Sequence, residues 1–269
     1  MHSNQGENSK VSIITPTHNS SRYIEHTIQG IINQTYEDWE LIITDDGSTD
    51  ETLNIVKHYA SNDNRIKLYT FKKSLGPAKA RNNSIQMARG RYIAFCDSDD
   101  IWYAQKLKKQ IDLMIDTNSY FTFSSYNIIN ENGNIVGRKN VPKSINYKKL
   151  LRYNYIGCLT AIYDRHNLGT LYMPLIKKRQ DYGLWLNIAK KLPVVIGVQE
   201  PLAEYRIHAN SISKNKITLL KYNYKIYKDV LGYSRCMSSI LILNFLLCYF
   251  HAKIFGNIFQ KSLNHKIKS

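Results

Sequence analysis

Over its first hundred positions the chain alternates short β-rich apolar runs with longer stretches whose apolar residues recur at helical spacing. Val11-Ser12-Ile13-Ile14-Thr15 predicts a strand, which Pro16 should end by removing a backbone donor. Ser20 or Ser21 then caps a helix with apolar positions Tyr23, Ile24, Ile28, Ile31 and Ile32. Trp39 to Ile43 predicts the second strand, closed by Asp45-Asp46-Gly47, and the helix after Thr49-Asp50 turns Leu53, Val56 and Tyr59 inward. Ile66 to Phe71 predicts a third strand, Ala78 to Ala88 a helix after Gly76-Pro77, and Arg91 to Cys96 a fourth strand.

Strands and helices in alternation with short links imply an α/β fold with a mostly parallel central sheet flanked by helices and right-handed crossovers. Ligands of such sheets bind beyond the carboxyl ends of the strands. Pro16, Asp46 and Asp97 all fall at such ends.

Beyond Asn118 the pattern loosens. Phe121 to Ser125 and Val194 to Val198 predict further strands, while 130–150 is turn-rich and polar and suits acceptor-binding loops. Tyr182, Leu184, Trp185, Leu186, Ile188 and Ala189 predict a helix beginning at Asp181. Trp102 and Trp185 read first as packing residues and second as sugar-stacking platforms.

The 269 residues suit one main domain with an appended helical segment. Residues 1–10 are polar and lack the apolar stretch of a secretory signal, so a flexible N-terminus and a cytosolic protein are expected. The four cysteines form no CxxC pair, which argues against zinc and disulfide frameworks.

Charge adds a second theme. The net charge is +16, and from Lys214 onward ten Lys or Arg face Asp229 alone, a local +9. The same segment carries the apolar run Ile240 to Phe250, well short of the ~20 residues that cross a bilayer. It therefore packs on its own domain or, flanked by Lys221, Lys225, Lys228, Arg235, Lys253 and Lys261, lies on an anionic membrane surface such as the inner face of the plasma membrane. Both readings stay open. Nucleic acid ranks last as a partner, because no nucleic-acid module is visible.

Two acidic clusters carry the candidate chemistry. Asp46, beside Gly47-Ser48, can accept a hydrogen bond from an imide N–H such as uracil offers; the plainer reading is a turn that caps the next helix. Asp97-Ser98-Asp99 places two carboxylates where a divalent ion can sit between protein and diphosphate, and hard oxygen ligands suit Mn²⁺ or Mg²⁺. DxD phosphatases place their motif after the first strand, whereas here it follows the fourth. Nucleotidyltransferases need a Gly-rich phosphate loop near the first strand, and Rossmann oxidoreductases need GxGxxG; neither is present.

Thr15-Pro-Thr-His-Asn19, Asp45-Asp-Gly-Ser-Thr-Asp50, Ala80-Arg-Asn82, Gly90-Arg-Tyr-Ile93 and Asp97-Ser-Asp-Asp-Ile-Trp102 together resemble the family 2 glycosyltransferases of GT-A fold. The likeness resumes at Arg179-Gln-Asp-Tyr-Gly-Leu-Trp-Leu186 and Tyr205-Arg-Ile-His-Ala-Asn-Ser-Ile-Ser213. It implies a Rossmann-like GT-A domain over 11–213, with a nucleotide-binding half at 11–117 and an acceptor half at 118–213, and a basic helical extension over 214–269.

The resemblance further implies inverting transfer of a sugar from a nucleotide-diphosphate donor, usually with a divalent metal, to a glycan or lipid-linked acceptor of a bacterial surface polysaccharide. Pro16 and His18 become neighbours of the base, Asp46 its recognition carboxylate, and Arg81 a cationic contact to base or diphosphate. Asp97 touches ribose or metal, Asp99 is the principal metal ligand, and the pair Arg206 and His208 folds over the diphosphate to supply a late metal or phosphate contact. His18 stands where the family commonly has Tyr, and Gln180 replaces the usual Glu beside Asp181, the candidate general base. The dipole of the helix starting there should keep Asp181 ionised. The competing class is a nucleotide-sugar-binding scaffold without turnover.

Overall fold

The computed structural model describes residues 10–208 and 216–248, without the side chains of 216–218. The expected N-terminal segment, the motif residues Ala209 to Ser213 and the tail beyond 248 lie outside the described residues.

Four parallel strands form the first half of the sheet: β1 (Val11–Thr17), β2 (Trp39–Asp45), β3 (Ile66–Thr70) and β4 (Tyr92–Phe95). Their order is β3-β2-β1-β4. Helices α1 (Ile24–Ile32), α2 (Thr52–Asn62) and α3 (Pro77–Met87) make the crossovers. Alternation along β1 splits the core between two faces: Val11 and Ile13 pack with α1 residues, while Ile14 packs with Ile85 of α3 and with Phe95. Because both faces are covered, every residue of β1 and β2 is buried.

Pro16 does not end β1, which runs on to Thr17. Ile14 turns its carbonyl toward β4, accepting from Cys96 N at 3.1 Å, and Pro16 faces the same side two residues on. Pairing with β4 has stopped there, its last partners being Ile14 and Phe95, so the missing N–H costs no ladder bond. Ser20 and Ser21 do not cap α1 either; Tyr23 stands at its N-cap without a side-chain bond.

The second half of the sheet is mixed. After β5 (Ile101–Trp102) and α4 (Lys106–Asp116) come β6 (Phe121–Ile129), β7 (Ile135–Lys139), β8 (Ser144–Ile145), α5 (Tyr147–Arg152), β9 (Ile162–Asp164) and α6 (Arg165–Leu168). Helix α7 (Gln180–Ala189) and the long β10 (Val195–Arg206) follow. The order continues β4-β9-β6-β10-β5, with β9 antiparallel to both neighbours and β10 parallel to β6. The polar stretch 130–150 thus holds a turn, closed by Asn130 Oδ1 accepting from Asn132 N and Asn134 N, and then two strands and a helix. Strand β7 lies largely exposed, so no buried alternation marked it.

Helix α8 (Lys216–Lys225) runs into a π-helical turn (Ile226–Val230), and a further helix, α9, spans 235–248. Tyr227 of the π turn is buried, and its hydroxyl donates to Leu151 O at 2.8 Å, fastening the extension to α5. Helix α9 rests on the domain through buried Phe245, whose ring lies 5.9 Å from the Arg179 guanidinium. Its outer face is apolar yet open: Met237, Ile240, Leu243 and Leu247 are 44 to 60 % exposed. Its inner face therefore packs on the domain, the first of the two readings of this segment.

Candidate active site

Strands β1, β2 and β4 are adjacent and parallel, so their carboxyl ends share one edge of the sheet. Asp46 follows β2 directly, its backbone N–H donating to Thr17 O at 2.8 Å, which carries the β1–β2 ladder one step further. Turn formation falls to its neighbours: Asp45 accepts from Ser48 N at 3.0 Å, and Asp50 accepts from Thr52 N at 3.0 Å and Ser21 N at 3.1 Å. These bonds hold Asp50 at about 2, well down the carboxylate range, although partial burial is the largest single effect and opposes them. Asp46 is left for something else.

Its carboxylate gathers the 74–76 segment. Oδ1 accepts from Leu75 N at 2.6 Å, and Oδ2 accepts from Ser74 Oγ at 2.8 Å and Gly76 N at 2.9 Å. A carboxylate offers about four acceptor positions; three are filled, leaving one on Oδ1. Gly47 permits this closure because it adopts φ +72 and an added Cβ would stand 3.0 Å from the Lys73 carbonyl carbon.

His18 is exposed above this turn. Its Nδ1 lies 2.9 Å from Asp46 O, and a carbonyl only accepts, so Nδ1 carries the proton. Ser20 reaches across to the second acidic cluster, its Oγ 2.8 Å from Ser98 Oγ. This bridge explains why Ser20 is unavailable as a cap.

The second cluster follows β4. Asp97 Oδ1 accepts from Arg81 Nη2 of α3 at 2.6 Å, and Arg81 Nη1 donates to Gln180 Oε1 at 3.1 Å. Burial opposes the Arg81 charge, yet Asp97 and Asp181 outweigh it and raise its pKa. One guanidinium therefore links the DxD turn to the start of α7, where Asp181 lies next to Gln180. The left-handed Arg179, at φ 64, sets that start.

Burial raises the Asp181 carboxyl above its ordinary value, with Asp97 adding to the effect. Arg179, the Tyr182 N–H and Arg81 pull the other way and do not cancel it. Desolvation thus works against the negative charge that the start of α7 should favour.

Asp99 Oδ2 meets His208 Nε2 at 2.7 Å. Burial and the adjacent Asp97 charge raise the Asp99 pKa, while His208 lowers it. Asp100 is fully enclosed and also raised by burial and by its two acidic neighbours. Arg206, read beside His208 as a contact to phosphate, is instead built into the protein. Its Nε donates to Asp99 O at 3.0 Å, its Nη1 to Asn130 O at 3.1 Å, and its backbone N–H to Asp100 Oδ1 at 3.1 Å. Tyr23 packs between the two, 4.7 Å from the Arg206 guanidinium and 5.1 Å from the His208 ring.

Burial and mutual repulsion raise Asp99 and Asp100, and a divalent cation bound beside Asp99 would relieve that repulsion. Asp99 and His208 present hard oxygen and imidazole donors, although no group of three potential ligands closes among the described residues. Trp102 and Trp185 are both buried, so they pack and do not stack sugars.

Sequence reasoning missed Gln180 as a contact, because its place looked like a departure from an acid, and it missed Lys106. That lysine is fully buried at the start of α4, its Nζ without a hydrogen-bond partner among the described residues and 4.0 Å from the Trp102 ring centroid. Burial lowers its pKa to about 7.

Residues 12–176 match the family described as Glycosyl transferase family 2. The chain is 40% identical over 221 residues to the putative teichuronic acid biosynthesis glycosyltransferase TuaG of Bacillus subtilis, covering 82% of this chain and 88% of that protein. It is 43% identical over 223 residues to the UDP-Glc:alpha-D-GlcNAc-diphosphoundecaprenol beta-1,3-glucosyltransferase WfgD of Escherichia coli, covering 82% and 85%. The crystal structure of S. aureus TarS 1–349 in complex with UDP superimposes with a TM-score of 0.68 at 20% identity, over 88% of this chain and 70% of that one, and shares its GT-A fold. With its fold, its motif order and these relatives in agreement, the chain belongs to glycosyl transferase family 2.

Proposed function

We propose that the protein moves a sugar from a UDP-sugar to a hydroxyl of a lipid-linked glycan, with inversion at the anomeric carbon, during assembly of a bacterial surface polysaccharide. The observation that carries this reading is the Arg81 bridge, which joins Asp97 of the donor-side turn to Gln180, next to Asp181. Residues 11–117 serve as the nucleotide half and 118–213 as the acceptor half. The relatives that name a teichuronic acid pathway and a diphosphoundecaprenol acceptor favour this substrate class.

Pro16 and His18 flank the base, and the free lone pair of Asp46 accepts its imide N–H. The 74–76 segment, tied to the same carboxylate, is positioned against the nucleotide. Asp97 orders Arg81, whose charge faces the diphosphate. Asp99, with Asp97 and His208, would hold Mn²⁺ or Mg²⁺, which when bound supplies positive charge to the diphosphate.

Asp181 acts as the general base. Burial raises its affinity for a proton, which suits a group that must take one from a hydroxyl. It takes the acceptor hydroxyl proton as that oxygen bonds to the anomeric carbon from the face opposite the leaving group. The bond from that carbon to the diphosphate breaks, and UDP departs with the electron pair, its charge met by Arg81.

The open face of α9, with Lys221, Lys225, Lys228 and Arg235 nearby in sequence, favours docking on the anionic inner face of the plasma membrane, where a lipid-linked acceptor resides. Among the described residues no helix is long and apolar enough to cross a membrane. The test is product formation with a panel of nucleotide sugars and a lipid-diphosphate-sugar acceptor. Transfer from a UDP-sugar supports the reading; UDP binding with neither transfer nor donor hydrolysis would instead favour a non-catalytic scaffold.

A further inference from the structure

Between Glu131 and Asp164 the chain has no acidic residue and six cations: Arg138, Lys139, Lys143, Lys148, Lys149 and Arg152. Lys139 is the one that structure joins to the candidate active site. It lies on β7 directly opposite Tyr126 of β6, and opposed residues of an antiparallel pair share a sheet face. Its Nζ donates to Tyr153 Oη at 2.6 Å and sits 4.5 Å from the centroid of that ring.

Tyr153 and Tyr155 then form an edge-to-face pair with centroids 4.9 Å apart. All three tyrosines are only partly buried. Tyr126 lies against Gly157, where an added Cβ would come within 2.8 Å of its Cε1, so the ring is held in place by the lack of a side chain there. The Tyr126 ring meets the Tyr205 ring edge-to-face with centroids 6.0 Å apart, and Tyr205 precedes Arg206, whose backbone N–H donates to Asp100 Oδ1 at 3.1 Å. Aromatic rings and one ammonium group thus lead from β7 toward the acidic turn after β4.

We propose that Lys139 with the Tyr153–Tyr155 pair forms the acceptor's sugar-phosphate subsite: the rings receive the apolar face of the acceptor's first sugar, and the ammonium group receives the phosphate joining that sugar to its carrier. This rests on the lipid-linked acceptor reading given above and adds the residues that recognise it. Aromatic faces match the C–H faces of a pyranose, and a lysine on a flexible stem serves a phosphate as a point charge. Tyr153 holds the ammonium group in place until the phosphate arrives.

The test measures binding to the full-length protein saturated with UDP by calorimetry. One probe is a hexosaminyl diphosphate with a short alkyl chain; the other is the matching alkyl glycoside without phosphate. Wild type should bind the diphosphate probe about 10-fold more tightly or better, the scale of a charge-assisted hydrogen bond. Lys139→Met should erase that preference, Lys139→Arg should keep most of it, and Tyr153→Ala should weaken both probes. UDP affinity should be the same in all four proteins. Equal loss of both probes in Lys139→Met, or weaker UDP binding in it, would overturn the subsite, the latter by assigning the ammonium group to the donor. Wild-type transfer to both probes with an unaltered Lys139→Met would remove the subsite and leave the acceptor reading standing. Failure of wild type to bind or glycosylate either probe would remove the acceptor reading itself and the subsite with it.

Discussion

Arg81 of α3 donates to Asp97 at 2.6 Å and, through its other terminal nitrogen, to Gln180 at 3.1 Å. Its side chain is only 12% exposed and that of Asp97 27%, so the pair is shielded from the solvent that weakens surface ion pairs. Because the planar guanidinium serves both partners at once, lysine is no substitute. Arg81→Lys is expected to lower kcat/KM by about 10²-fold, the cost of misplacing a reacting group by an ångström, while the protein stays folded. Steady-state kinetics beside circular dichroism checks this.

Asp99 and His208 are the expected metal-side pair, and their 2.7 Å contact makes each the other's positioner. Chelation should abolish transfer, and Mn²⁺ or Mg²⁺ should restore it. His208→Asn should raise the Mn²⁺ concentration at half-activation by about 10–100-fold, as loss of a residue that orients a ligand does. An unchanged Mn²⁺ dependence would remove His208 from this role.

Buried Lys106 carries a pH signature of stability. Its pKa falls from 10.5 to about 7 on folding, so between those values the unfolded chain binds the proton and the native chain does not. Stability therefore rises as pH increases from 7 toward 10 and is lost as pH falls back through that window. Lys106→Met, which keeps the apolar stem and drops the charge, should be more stable than wild type by about 1–3 kcal/mol at pH 7, with the gap narrowing by pH 9.5. Urea midpoints at the two pH values provide the measurement.

The first hundred residues were legible because β1, β2 and β4 are buried on both faces and the acids stand just past the ends of β2 and β4. Asp46, Asp97 and Asp99 needed only that pattern to be found. Pro16 misled because its effect depends on where the neighbouring strand ends, which the residue itself does not record. Strand β7 escaped because an exposed strand has no apolar alternation to show. Arg206 looked like a phosphate contact, but its partners are the backbone carbonyls of Asp99 and Asn130, and carbonyls leave no trace in side-chain identity.

Helix α9 offers a direct probe of membrane docking. Leu243 and Leu247 lie on its open face, away from Phe245, so charging them leaves the packed side intact. Leu243→Glu with Leu247→Glu should cut co-sedimentation with anionic vesicles by about 10-fold or more, through lost apolar contact and added like charge, without changing UDP affinity. Vesicle binding equal to wild type would confine α9 to a packing role.

Asp181→Asn, assayed for UDP binding and for sugar transfer in the same preparation, tests the central assignment most directly. The amide keeps the shape of the side chain and cannot take the acceptor proton. The result expected is UDP affinity within about threefold of wild type, with kcat lower by about 10²–10⁴-fold. Transfer at the wild-type rate, with UDP binding intact, would contradict it.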